Sequence, residues 1–183
     1  MLKNREHQYG LIARLLHWVL ALMLAGLFGL GWYMTGLTYY DPWYHKSIDL
    51  HKALGVVTAI VILVRIGRAV IDTKPAYPTA LKPWEKSAAN AVHGVLYLLM
   101  ITIPVSGYLI STAQGHGISM FGLFEIPALL PAGESREEIA GQVHYFLAFG
   151  GSWVVLMHAG AAFKHNLIDR VDILGRMIGK IKE

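Results

Sequence analysis

The chain has 183 residues, 55% of them hydrophobic and only 15% charged, with a mean hydropathy of +0.45. That balance excludes disorder and argues against a water-soluble fold, and the formal charge of +4 comes from Lys and Arg set between long apolar runs rather than from a patch that would bind nucleic acid. Cysteine is absent, which excludes disulfides, thiolate zinc sites, cysteine-held iron–sulfur clusters and thioether-tethered haem, while nine histidines in so apolar a chain call for a chemical reason.

From Trp18 to Leu37 no residue is charged, and about 20 residues at ~1.5 Å each cover a hydrocarbon core of ~30 Å. The run is too long for a signal-peptide core and lacks an A-x-A-like cleavage site, so it predicts a retained membrane helix over about 11–37. Tyr39, Tyr40, Trp43 and Tyr44 follow it where an aromatic belt would lie. The second run, Ala53 to Val64, is short, but Lys52, Arg65 and Arg68 can snorkel and extend it to a span over about 50–70, with His51 partnered inside. Ser87 to Phe124 is uncharged and predicts a third helix over about 88–112, kinked at Pro104 and ended by Gln114-Gly115-His116-Gly117. Ile139 to Phe163 is also uncharged and gives a fourth helix over about 139–163 carrying His144 and His158. In the tail, Ile173, Leu174, Met177, Ile178 and Ile181 recur at helical spacing among basic residues, which predicts a surface helix over about 169–182. The expected fold is an all-α membrane protein, with residues 1–183 forming a single transmembrane domain built as a four-helix up-and-down bundle.

Orientation follows from the excess of Lys and Arg in cytoplasmic loops. Thirteen fall on the side of both termini, the last two being Lys180 and Lys182, whereas the other side has Lys46, Lys52 and Arg136 against six carboxylates. Both termini are therefore expected in the cytoplasm, with an acidic outer face, in a multi-pass protein of a bacterial inner membrane.

His144 and His158 are fourteen residues apart on one helix, which places them ~40° apart on one face and ~21 Å apart in depth. A single metal ion cannot use both, but two cofactors near opposite leaflets need this separation. Haem iron in an electron-transfer site takes two axial ligands, and bis-His ligation keeps it six-coordinate. At the outer depth His51 matches His144. At the inner depth His17 and His93 both match His158, and periodicity does not choose between them. Gly55, Gly141, Gly150, Gly151 and Gly160 lie where a flat macrocycle would need close backbone approach, whereas Gly26, Gly29 and Gly31 read equally as helix packing. Arg14 and Arg65 at the inner boundary and Lys52 at the outer are weaker cofactor-binding candidates, as cations for haem propionates. No Asp or Glu is expected within the four spans, which disfavours an ion-coupled transporter and excludes a carboxylate-bridged di-iron site.

The pattern resembles the bacterial cytochrome b561 family, inner-membrane di-haem b proteins related to the cytochrome b anchor of membrane-bound hydrogenases. The resemblance rests on Arg14-Leu15-Leu16-His17-Trp18, on Tyr39 to Lys46 leading to Leu50-His51-Lys52, on His93-Gly94-Val95-Leu96-Tyr97, and on His158 to His165, and it covers nearly the whole chain. It implies two haem b groups, with ligands drawn from helices one, two and four: His17 with His158, and His51 with His144. It also implies electron exchange with quinone, and in one type of member the oxidation of superoxide with reduction of ubiquinone. An acidic outer face does not favour an anionic substrate, although Lys46 and Lys52 could steer locally.

The expected function is electron transfer between an outer-side, periplasmic donor or redox partner protein and the quinone pool. His93, His165 and Lys164 are the candidate proton-carrying residues on the quinone side. The alternative is an anchor subunit that relays electrons from a docked dehydrogenase or hydrogenase. Membrane lipid is an expected partner and nucleic acid is not.

Overall fold

The computed structural model describes residues 2–179. Four helices are long and apolar enough to cross a membrane: α1 (Leu11–Thr35), α2 (Tyr44–Ile71), α3 (Pro83–Ser111) and α4 (Arg136–Leu167). Few of their side chains are buried, and many large apolar ones are exposed, among them Trp32, Leu63, Leu98 and Phe146, which is the surface a hydrocarbon solvent requires.

The helices are longer at their polar ends than the uncharged runs foretell. α2 starts at Tyr44 rather than near residue 50, α3 at Pro83 rather than 88, and α4 runs from Arg136 to Leu167 rather than over 139–163. Charges limit only the part of a helix in hydrocarbon; the extra turns lie beyond it. At α3 the start is chemically marked, since Pro83 is the first helical residue and the Glu85 carboxylate accepts from the Lys82 backbone N–H at 2.9 Å. The extension also corrects the carboxylate count: Asp49, Glu85, Glu137 and Glu138 fall inside helices, all near their N-terminal ends. α3 continues through Pro104 without a break.

α1 packs along α2, α2 against α3, and α3 against α4 in antiparallel succession, while α4 makes no comparably close backbone approach to α1 or α2. Two features have no counterpart in the periodicity. The connection from α3 to α4 holds an antiparallel hairpin, β1 (Ile118–Met120) and β2 (Phe124–Ile126), with Met120 opposite Phe124. Its turn takes Phe121 and Gly122 through positive φ, and burial of Ile118 and Met120 against Ala53 of α2 anchors it.

The second feature is the tail. α5 (Ile173–Ile178) is shorter than the expected surface helix, and residues 180–182 of that expectation, with Ile181, lie outside the described residues. α5 packs on α4 and reaches α1, where the Trp18 indole N–H donates to the Met177 carbonyl at 3.0 Å. The Arg176 guanidinium donates to the His7 carbonyl at 3.0 Å and to that of Ala76 at 2.8 Å, so it joins the N-terminal segment and the α2–α3 connection. Both ends of the described chain therefore sit at one end of the bundle.

Candidate functional site

The histidines of the four helices meet in two groups at two depths. Toward the hairpin end, His51 of α2 and His144 of α4 face each other with ring centroids 6.3 Å apart. Toward the terminal end, His17 of α1 and His158 of α4 are also 6.3 Å apart, and His93 of α3 approaches His158 more closely, at 5.2 Å. All five rings are half-buried.

A metal bound by two imidazole nitrogens at about 2.0 Å each holds the ring centroids roughly 6.4 Å apart when the rings are in line. The two pairs at 6.3 Å have that spacing, and the His93–His158 pair is about 1 Å too close. The ring environments fit ligation as well. His144 Nδ1 lies 3.0 Å from the Ile103 carbonyl oxygen and 3.1 Å from Ser106 Oγ. The carbonyl can only accept, so Nδ1 carries the proton and Nε2 keeps its lone pair, the arrangement that orients a metal-binding histidine. A Cβ on Gly107 would stand 3.1 Å from His144 Cε1, and one on Gly31 would stand 3.3 Å from His51 Cε1. Both helices thus need glycine for a ring to lie against their backbone. His51 Nδ1 is buried without a hydrogen-bond partner among the described residues. With neutral imidazoles in facing pairs and no thiolate, the donor set suits haem iron.

Other candidates are placed less centrally. Arg65 donates to the Ala13 carbonyl at 3.3 Å, and its charge acts on His17, His93 and His158. Lys52 follows His51 on α2 and is half-buried. Arg14 turns away to a small cavity lined by the N-terminal segment. Side chains at Gly55, Gly141, Gly150 or Gly160 would meet no protein atom within 4 Å, whereas Gly151 packs on Leu99 and Ile103.

Lys164 and His165 lie about two helical turns from His158, in a cluster the sequence reading missed. Lys164 Nζ is 2.6 Å from Asp169 and 3.3 Å from Glu85, and His165 Nδ1 is 2.6 Å from the same Asp169 oxygen. Glu85, His165 and Asp169 could reach a common ion, but the Lys164 ammonium already pairs with both carboxylates. The hydrogen bond from Lys164 is the main reason that the Asp169 carboxyl is held below the ordinary carboxylate range.

At the opposite end a cleft of about 380 Å³ opens between α2 and the hairpin, lined by Lys46, Asp49, Leu50, Ser119, Phe121 and Gly122. Leu50 immediately precedes His51 in α2.

Comparison with known proteins agrees with this architecture. The family model described as prokaryotic cytochrome b561 matches residues 8–180. Cytochrome b561 homolog 2 of Escherichia coli K12 is 41% identical over 97% of this chain and 94% of its own length. Cytochrome b561 homolog 1 of the same organism is 25% identical over 91% and 94%, and a Yersinia pestis protein named "Probable superoxide oxidase CybB" is 27% identical over 77% and 78%. The chain belongs to the prokaryotic cytochrome b561 family, multi-pass bacterial membrane proteins that bind haem b and transfer electrons.

Proposed function

We propose that this cytochrome b561 holds two haem b groups, one between His17 and His158 and one between His51 and His144, and carries electrons from a donor at the outer face to quinone at the inner side. The observation that supports this most is the pair of cross-helix histidine contacts, both at 6.3 Å, on either side of the bundle's middle. Bound haem supplies a one-electron iron couple at each depth. The chain's own work is to fix the ligands. The Ile103 carbonyl sets the His144 tautomer, Gly31 and Gly107 admit the rings, and Arg65 offers a cation to an inner propionate.

At the outer face the cleft beside Leu50 is the proposed entry for the donor. Superoxide is one reading of that donor, favoured by the name of the Yersinia relative. Two superoxide anions would each lose one electron and leave as dioxygen, and the two electrons with two protons from the inner side would convert a quinone such as ubiquinone to quinol. His93, in contact with His158 but too close to share an iron with it, is the proposed hydrogen-bond donor to that quinone. Lys164 and His165, tied to Asp169, lie on the aqueous side of this site and could supply it with protons.

A redox-titrated visible spectrum of the purified protein, with haem quantified per chain, tests the proposal. Two low-spin b haems released completely by acid acetone are expected. One haem per chain, or none, overturns it.

A further inference from the structure

Residues 2–10 form a closed loop over the start of α1. The Asn4 side chain accepts from the Gly10 N–H at 2.8 Å and donates to the Thr73 carbonyl at 3.0 Å, and the Ala76 N–H donates to the Glu6 carbonyl at 2.7 Å. The chain passes so close over Gly10 that an added Cβ would stand 2.5 Å from the Leu2 oxygen and the Lys3 backbone. Inside the loop is a cavity of about 90 Å³ lined by Lys3, Arg5, Gln8, Tyr9, Gly10 and Arg14.

The charge of this cavity favours an anion. Three of its six lining residues are cationic and none is acidic. Gly10 is the N-cap of α1 and has no side chain to cap the N–H groups that follow it, Asn4 takes only the N–H of Gly10 itself, and the first turn contains no acidic residue. The positive end of a 25-residue helix therefore lies beside the cavity. Arg14 Nε is buried without a hydrogen-bond partner among the described residues. Burial holds the Tyr9 hydroxyl protonated beyond the ordinary tyrosine range, so it remains a donor. The volume is several times the ~10–15 Å³ that one water needs, room enough for one tetrahedral oxyanion. The cavity lies where the apolar helix begins, at the depth of lipid headgroups.

We propose that this loop binds a phosphate group, that of an anionic phospholipid in the leaflet next to the termini. Lys3 and Arg5 close over the phosphate from the water side, while Arg14 and the α1 N-terminus meet it from below. The site is separate from the histidine pairs and does not depend on what they bind.

The test uses delipidated, haem-containing protein in detergent, with thermal midpoint and retained lipid as readouts and circular dichroism as the check on folding. Phosphatidylglycerol should raise the midpoint more than phosphatidylcholine. The double variant Lys3→Gln/Arg5→Gln should bind it about 25-fold more weakly, at about fivefold per cation removed. Lys82→Gln/Lys86→Gln removes the same charge elsewhere on that end of the bundle and should respond like the parent. Gly10→Ala, which changes no charge, should also lose the response by forcing the loop open. If inorganic phosphate alone reproduces the shift at millimolar concentration, the site stands and its ligand is a soluble phosphate. The proposal is overturned if neither ligand raises the midpoint, or if the Lys3/Arg5 variant responds no differently from the Lys82/Lys86 variant.

Discussion

His144 Nδ1 points at the carbonyl oxygen of Ile103 from 3.0 Å, one residue before Pro104 in the neighbouring helix. This contact fixes which nitrogen of His144 is free.

Removal of that ring separates the two sites. In His144→Ala the outer haem should be lost and the inner one retained, so haem per chain falls from two to one with the remaining spectrum low-spin. Gly107→Val should act similarly without touching a histidine, because even a Cβ there stands 3.1 Å from the ring. Unchanged haem content in both variants would remove His144 as a ligand.

His17 and His93 should fail differently. His17→Ala should leave the inner iron five-coordinate or water-bound, visible as high-spin absorption, or empty the site. His93→Ala should keep two low-spin haems and slow quinone reduction by at least about 10²-fold, the usual loss for a general acid or base. A lost haem in His93→Ala beside a normal spectrum in His17→Ala would exchange the two roles.

The Asp169 cluster gives a pH dependence of known sign. Its carboxyl is held below the ordinary carboxylate range, mainly by the hydrogen bond from Lys164, so its contribution to stability is fully present above that range and is lost as pH falls through the lowered value. The difference in thermal midpoint between the parent and Asp169→Asn should be constant from neutral pH to about 5 and shrink only in stronger acid. A difference that already declines between pH 7 and 5 would show that the Asp169 carboxyl is not held low.

Membrane orientation can be read directly, because the chain has no cysteine. A membrane-impermeant maleimide should label Gln114→Cys in intact spheroplasts and Lys3→Cys only after lysis. The reverse pattern would place the acidic face in the cytoplasm.

The membrane helices were legible because hydrocarbon rejects charge: the uncharged run at Ile139–Phe163 lies within α4, and that at Trp18–Leu37 overruns the end of α1 at Thr35 by only two residues. Their ends were not, since the first turns of α2 and α3 sit in polar surroundings where Lys46, Asp49 and Glu85 cost nothing. The hairpin was invisible because its strands are three residues long and are held by packing Ile118 and Met120 on Ala53, a contact far along the chain. At the site, residue type and spacing brought out the histidines. Gly31 had been indistinguishable from ordinary helix packing, and only the neighbouring helix shows that it admits a ring. Pro104 gave no signal of the His144 contact, since its missing N–H frees the carbonyl of Met100 rather than that of Ile103, and the histidine that takes up the Ile103 carbonyl is 41 residues away.

The order of packing bears on how the protein is made. α1 and α2 form one antiparallel pair and α3 and α4 another, and each facing histidine pair at 6.3 Å takes one ring from the first and one from the second. A nascent chain still emerging from the ribosome possesses neither pair until α4 has entered the bilayer. On the proposed ligand set, cofactor capture would follow the entry of α4 and lock the two hairpins into one body.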